Sequence, residues 1–168
     1  MVRRLFSFPN PVNEVSARLV AGGVVLLCAT AIIFELPWLT AIIAYGFVAR
    51  VLTGPTLSPL GQLVTRVLTP ALPFAAKPVP GPPKRFAQGI GAVLSVTAAV
   101  LALGFGLTTL AYIVVGAIIV AATLESVFAL CIGCKIFAGL MRVGLIPQSI
   151  CEECNDIWSR PRPAAAQA

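Results

Sequence analysis

The chain carries four long apolar stretches, separated by segments that are polar or rich in turn-forming residues. They cover residues 19–34, 36–52, 86–106 and 107–130. The last stretch holds one charge, Glu125, and as a helix it would extend about 36 Å, more than the roughly 30 Å of hydrocarbon in a bilayer. The pattern therefore predicts four membrane-spanning helices.

The first two stretches are shorter than the roughly 20 residues that a transmembrane helix usually needs. Two full spans then require Arg18 and Arg50 to extend their side chains into the headgroup layer. A re-entrant hairpin is the alternative, but Trp38 stands where an interfacial aromatic residue is expected and favours two spans. Glu35 and Pro37 predict a tight turn between them.

Residues 53–85 form the longest polar segment and include a predicted helix. Ser58 followed by Pro59 is typical of a helix start, with serine as the cap and proline in the first helical position. The next apolar residues fall on one helical face. They are Leu60, Leu63, Val64, Val67 and Leu68. We expect an interfacial helix that lies on the membrane surface or packs against the bundle.

The third apolar stretch carries small residues at helical spacing, namely Gly91, Ser95, Ala98 and Ala102. Small side chains let helices approach closely in lipid, where no hydrophobic effect drives them together. We therefore expect the third helix to pack closely against the fourth.

Composition places the chain among membrane proteins. Apolar residues make up 58% of the chain, charged residues 11%, and histidine is absent, so a solvated surface could not enclose a soluble core. The net charge of +6 would suggest nucleic-acid binding in a soluble protein, but here the basic residues flank apolar stretches. We expect an integral membrane protein that contacts the lipid bilayer and binds no nucleic acid.

The lysines and arginines indicate the orientation. The turns near Glu35 and Gly106 contain none, whereas the leader, the 53–85 loop, the tail and the adjoining helix ends contain all 12. Basic residues concentrate on the cytoplasmic side of membrane proteins. The sequence thus predicts a multi-pass protein of the cell (inner) membrane with both termini in the cytoplasm.

These elements together predict an all-α fold: an integral membrane four-helix bundle with an interfacial helix and a short cysteine-rich cytoplasmic tail. The small-residue stripe is also compatible with a homo-oligomer. The predicted segments are a cytoplasmic leader 1–18, a transmembrane domain 19–130 that includes the cytoplasmic loop 53–85, a cysteine-rich tail 131–158 and a disordered end 159–168.

The tail contains two close cysteine pairs, Cys131 with Cys134 and Cys151 with Cys154. Two residues separate the members of each pair and 16 separate the pairs, which is typical of a zinc site with four thiolate ligands. An iron site uses the same ligand set. Permanent disulfides are not expected in a reducing cytoplasm. The leading prediction is therefore a structural or adaptor zinc site.

A second interpretation assigns the same cysteines to thiol redox or sulfur transfer. Under this interpretation the protein would be an enzyme. Each pair can close a transient disulfide or pass a persulfide. Ser149 and Glu152 form a capping-box pattern that would place Cys151 in a first helical turn, where thiolate is favoured. Cys131 is expected near a helix C-terminus, which disfavours thiolate. Inert thiols on a structural protein and a small transporter are further alternatives.

Glu125 lies six residues before Cys131, near the predicted cytoplasmic interface. A carboxylate inside hydrocarbon is costly unless it is paired or hydrated. We expect it to form a structural pair with Arg50 or Arg18, or to meet water, rather than to relay protons.

Three motifs occur together in this chain. Gly54-Pro55 precedes Ser58-Pro59-Leu60, Pro82-Pro83-Lys84-Arg85-Phe86-Ala87-Gln88-Gly89 opens the third helix, and Cys131-Ile132-Gly133-Cys134 follows the fourth. The combination resembles an uncharacterised family of small actinobacterial integral membrane proteins, a domain family of unknown function, over most of residues 10–138. The resemblance implies a four-helix membrane fold and an association with thioredoxin-like and sulfurtransferase proteins. Cys151 and Cys154 have no place in that pattern.

Overall fold

The computed structural model describes residues 10–73, 75–147 and 150. Its helices are α1 Glu14–Ile33, α2 Leu39–Thr53, α3 Pro59–Leu63, α4 Thr69–Ala71, α5 Gly81–Ala99, α6 Thr108–Phe128 and α7 Ile132–Arg142. The π-helical segments Val64–Leu68 and Val100–Gly104 continue α3 and α5. Two short strands, β1 Val12–Asn13 and β2 Pro78–Val79, pair antiparallel.

Three helical segments are long and apolar enough to cross a membrane: Glu14–Ile33, Gly81–Gly104 and Thr108–Phe128. The fourth apolar helix, α2, has 15 residues and is shorter than a usual span. Several large apolar side chains on the outside of the bundle are at least 60% exposed, including Leu26, Ile113 and Val120. The chain is thus a membrane protein with an all-α fold, and the predicted fold class is confirmed.

The four apolar helices pack in a closed ring. α1 contacts α6 and α2, α2 contacts α5, and α5 contacts α6, so each helix lies beside neighbours that run in the opposite direction. The core between them is built mainly from small and β-branched side chains. Its most buried members include Cys28, Ala31, Ala98, Ala111 and Val115.

The small residues on α5 serve two neighbouring helices. Ser95, Ala98 and Ala102 are at most 6% exposed, as close helix packing requires. Gly91 instead faces α2, where a Cβ atom would lie 2.2 Å from Phe47 Cε1. The predicted packing of the third apolar helix on the fourth is confirmed, and the contact of Gly91 shows that α2 packs closely on α5 as well.

Two helices begin earlier than their apolar stretches predicted. Asn13 caps α1, since its Oδ1 accepts a hydrogen bond from Val15 N–H at 3.0 Å, and the helix starts at Glu14. α5 starts at Gly81 with Pro82 in its first turn, where proline lacks only an N–H group that would have no helical partner. The first helix is consequently longer than predicted.

The helix start predicted at Ser58 is confirmed. Ser58 Oγ accepts a hydrogen bond from Gly61 N–H at 3.2 Å, and Pro59 occupies the first helical position. Val64 is fully buried, so the segment packs against the bundle. The second half of the segment, Val64–Leu68, is π-helical, which changes the helical period along its apolar residues. The residues that stay exposed are Leu63, Val67 and Leu68.

Candidate functional site

Polar and charged side chains collect at the end of the bundle opposite the Glu35 and Gly106 turns. There Arg18 of α1 donates hydrogen bonds from Nε to Ser126 O at 2.9 Å and from Nη2 to Val127 O at 3.0 Å. Arg18 thus satisfies carbonyl groups at the C-terminus of α6 that lack helical partners. We call this the charged end, and its other members are Arg50, Lys84, Gln88, Glu125, Cys131 and Cys134.

Glu125 of α6 forms an ion pair with Lys84 of α5, with 2.5 Å between Lys84 Nζ and Glu125 Oε1. The side chains are 12% and 16% exposed, so water reaches the pair only partly. The predicted structural pairing of Glu125 is confirmed, but the predicted partners Arg50 and Arg18 are wrong. α5 packs directly beside α6, whereas Arg18 is engaged by the α6 backbone.

Arg50, near the end of α2, is 6% exposed. Its Nε donates to Gln88 Oε1 at 3.0 Å, and its Nη1 donates to Ser58 Oγ at 3.4 Å. The guanidinium also lies 4.5 Å from the centre of the Phe47 ring, within the range of a cation–π contact. In the part of the chain that the structure describes, no carboxylate lies within ion-pair distance of Arg50.

The first turns of α5 contact three other helices at the charged end. Arg85 Nε donates to Val51 O at 3.0 Å, which joins α5 to α2. The Phe86 ring packs on Phe137 of α7, with ring centres 5.5 Å apart. Together with the Lys84 and Gln88 contacts, these interactions explain the motif at the head of α5 as a junction between helices.

Cys131 and Cys134 lie at the start of a new helix. α6 ends at Phe128, and Ala129 takes a left-handed conformation with φ 56°. Cys131 is then the N-cap residue of α7, and Cys134 lies in its first turn. The predicted position of Cys131 near a helix C-terminus is therefore wrong, because Ala129 separates the two helices. A helix N-terminus favours a thiolate.

The two thiols are free and not equivalent. Cys131 is 8% exposed and Cys134 is half-buried. A hydrogen bond from the Cys134 side chain lowers the pKa of Cys131, and Lys84 lowers it further, against the opposing effects of burial and Glu125. The same hydrogen bond, together with burial, raises the pKa of Cys134. Cys131 is therefore the more acidic thiol of the pair.

A cavity of about 260 Å³ lies beside Cys131, between the helices of the bundle. Its polar lining consists of Arg50, Gln88, Glu125 and Cys131, whereas Cys134 does not line it. The remaining wall is apolar and comes from five helices. Its larger side chains are Val20, Val24, Phe47, Ile90, Leu94, Ile118, Ile132 and Ile136.

The structure brings together two of the four cysteines predicted as metal ligands. Cys131 and Cys134 share the first turn of α7, whereas Cys151 and Cys154 lie outside the described residues. Among the residues described, no group of three or more His, Cys, Asp and Glu side chains is placed to hold a metal ion. The first pair supplies two of the four ligands that a structural zinc ion needs.

Sequence reasoning did not single out Lys84 and Gln88 as site residues and did not indicate the cavity. Lys84 pairs with Glu125, 41 positions away in the sequence, and Gln88 accepts a hydrogen bond from Arg50, 38 positions away. Such contacts depend on which helices become neighbours. The available signal was that both residues belong to the same motif at the head of α5.

Comparison with known proteins gives one family match. The family described as a domain of unknown function (DUF4395) matches residues 12–142, which include the bundle and the first cysteine pair but not Cys151 and Cys154. No curated protein and no solved structure matches the chain. Because the match spans well over half of the sequence, the chain belongs to the DUF4395 family.

Proposed function

We propose that this protein is a multi-pass membrane dithiol protein, with both termini in the cytoplasm, that carries out thiol–disulfide exchange or sulfur transfer. The observation that carries the proposal is the position of Cys131 at the N-terminus of α7, with Cys134 one turn on. One thiol has a lowered pKa and the other a raised pKa. An attacking and a resolving thiol differ in this way.

The exchange proceeds through a mixed disulfide. The Cys131 thiolate attacks one sulfur of a partner disulfide, and the partner's second sulfur leaves as a thiolate. Cys134 then loses its proton and attacks Cys131 Sγ, which releases the partner's first sulfur and forms the Cys131–Cys134 disulfide. The reverse sequence oxidises a partner dithiol through the same intermediate. The family resemblance suggests thioredoxin-like proteins as partners.

A sulfurtransferase persulfide is attacked in the same manner. Its terminal sulfur moves onto Cys131 Sγ, and the partner's own sulfur leaves as a thiolate. Attack by the Cys134 thiolate on Cys131 Sγ then expels the carried sulfur as hydrosulfide. Both reactions use Cys131 first and Cys134 second, so they share one test.

Single Cys→Ser variants of the full chain in detergent test the proposal, with glutathione disulfide as the probe. Cys134→Ser should accumulate a mixed disulfide at Cys131, because the resolving thiol is gone, whereas Cys131→Ser should form little adduct. Cys28→Ser is the matched control, since Cys28 is completely buried in the core. If Cys131→Ser forms as much adduct as Cys134→Ser, measured by mass spectrometry, the assignment of Cys131 as attacking thiol is refuted.

A zinc site formed by Cys131, Cys134, Cys151 and Cys154 is the second candidate, with iron as the alternative metal. The course of the chain after α7 favours it. Ile146 packs against the cluster of Phe137 and Met141, and Ile150 lines a surface hollow that also includes Phe86 and Phe137. The chain therefore returns towards the start of α5 just before Cys151 in the sequence.

Metal analysis after anaerobic purification distinguishes the two candidates. A four-thiolate site predicts about one zinc per chain, lost in each of the four single Cys→Ser variants, because every ligand contributes to one ion. A dithiol without zinc predicts no bound metal in any variant. Metal content that is independent of all four cysteines would contradict the zinc candidate.

A further inference from the structure

The cavity beside Cys131 combines features that the exchange reaction with a protein partner does not use. It lies between the bundle helices and α7 and is partly open, its wall is largely apolar, and Cys131 lines it while Cys134 does not. A protein disulfide would approach the thiols from the aqueous side. A molecule that occupies the cavity must instead be small and soluble in lipid.

Arg50 gives the cavity a strong hydrogen-bond donor. A guanidinium has five N–H donors, and Arg50 uses Nε on Gln88 and Nη1 on Ser58. In the described part of the chain, its Nη2 makes no hydrogen bond and keeps some exposure, so it is free to donate to a ligand. A buried cation of this kind favours a ligand with an oxygen acceptor.

The charges around the cavity favour a neutral ligand over a carboxylate. Arg50 and Lys84 are balanced by Glu125 and by Cys131 when it reacts as a thiolate. A carboxylate would add an uncompensated negative charge in an apolar environment, which is costly. A neutral molecule with carbonyl oxygens accepts the hydrogen bond without that cost.

We propose that this cavity binds the ring of a lipid-soluble quinone, which accepts a hydrogen bond from Arg50 at a ring carbonyl and oxidises the Cys131–Cys134 dithiol. The inference rests on the proposed dithiol function and names its electron acceptor. A volume of about 260 Å³ suits a ring with small substituents rather than a complete isoprenoid molecule. The exchange with the partner then runs in the direction that oxidises the partner's thiols.

The redox step balances within these components. The Cys131 thiolate adds to an electron-poor ring carbon, and the Cys134 thiolate then attacks Cys131 Sγ. The carbon–sulfur bond breaks, its electron pair passes to the ring, and the Cys131–Cys134 disulfide forms. The two protons lost by the thiols end on the two ring oxygens, so one dithiol and one quinone give one disulfide and one quinol. Cys134 does not line the cavity, so it approaches Cys131 from a direction that the ring leaves free.

The reduced full chain in detergent, mixed with decylubiquinone, tests this proposal. The ring of this quinone is fully substituted, so it does not alkylate thiols permanently. We expect one quinol to form for each pair of thiols lost. Quinol absorbance measures the first quantity and thiol counting measures the second. Ala121→Phe fills the cavity that Ala121 lines and should slow the reaction at least tenfold. Ala117→Phe, one turn earlier on α6 at an exposed position outside the cavity, should leave the rate unchanged.

Glutathione disulfide serves as the second readout. Wild-type protein that exchanges with glutathione disulfide but does not reduce the quinone overturns the quinone inference and leaves the dithiol function standing. Protein that reacts with neither overturns both. Equal quinone rates in Ala121→Phe and Ala117→Phe place the reaction outside the cavity and overturn the inference.

Arg50→Gln provides a second variant, which we expect to raise the quinone concentration needed for the half-maximal rate. If decanoate protects Cys131 from alkylation and the quinone does not, the cavity binds a carboxylate, and the quinone inference is overturned.

Discussion

Gly133 lies so close to Ala87 that a Cβ atom at residue 133 would be 2.5 Å from Ala87 Cβ and 2.6 Å from Ala87 Cα. The contact joins α7 to the first turns of α5 and holds the N-terminus of α7 against the bundle. Gly133 stands between Cys131 and Cys134, so the position of both thiols depends on this approach. The glycine in this Cys-x-x-Cys motif therefore has a packing role.

Gly133→Ala should displace α7 from α5 and expose both thiols. The clash involves backbone atoms of Ala87, which cannot rotate away, so we expect a loss of about 1–3 kcal/mol of stability. Gly139→Ala is the matched control on α7, because nothing lies within 4 Å of a Cβ at that position. Thermal unfolding in detergent and the alkylation rate of Cys134 measure both effects. Equal behaviour of the two variants would contradict the packing role.

Gly91→Ala should disturb the contact between α5 and α2. Its new methyl group would meet the Phe47 ring at 2.2 Å, and Phe47 is also the ring on which Arg50 rests. We expect destabilisation of about 1–3 kcal/mol. Gly89→Ala, on the same helix with nothing within 4 Å of its Cβ, should be neutral or slightly stabilising. A lowered melting temperature in Gly89→Ala but not in Gly91→Ala would refute this packing.

Lys84 and Glu125 should show coupled effects on stability. Glu125→Gln keeps a hydrogen-bonding side chain but leaves the poorly exposed Lys84 charge without its partner, so the protein should fold with reduced stability. Lys84→Met should also destabilise. The double variant should lose less than the two single losses combined, by about 1–3 kcal/mol. Additive losses in chemical denaturation would show that the ion pair contributes nothing.

The apolar helices and the cap at Ser58 were predictable because each depends on a local pattern. The contacts of the charged end were not, since Lys84 with Glu125 and Arg50 with Gln88 depend on the ring order of the helices. The position of Cys131 was missed for a local reason. Alanine is a strong helix former, so Ala129 gave no signal of the left-handed turn that ends α6.

Cys131 should react with iodoacetamide at lower pH than Cys134. A lowered pKa leaves more thiolate at any pH below the ordinary thiol value, and the raised pKa of Cys134 has the opposite effect. Cys134→Ala removes the main cause of the shift and should move the Cys131 profile to higher pH, although Lys84 and Glu125 remain beside it. Rates measured for each cysteine by mass spectrometry test this. Coincident profiles for the two thiols would contradict it.

The charged end should face the cytoplasm, because the basic residues concentrate there and a bilayer protein retains them on that side. Thr56 lies at this end and Thr109 beside the Gly106 turn, and both are exposed. In a background without cysteine, an impermeant maleimide added to intact cells should label Thr109→Cys and not Thr56→Cys. Permeabilised cells should label both, which shows that Thr56→Cys is folded and reactive. If Thr56→Cys alone is labelled in intact cells, the orientation is opposite to the predicted one, and Cys131 lies outside the cytoplasm. The partner disulfide would then have to be sought in an oxidising compartment, so this experiment also decides where exchange partners are to be looked for.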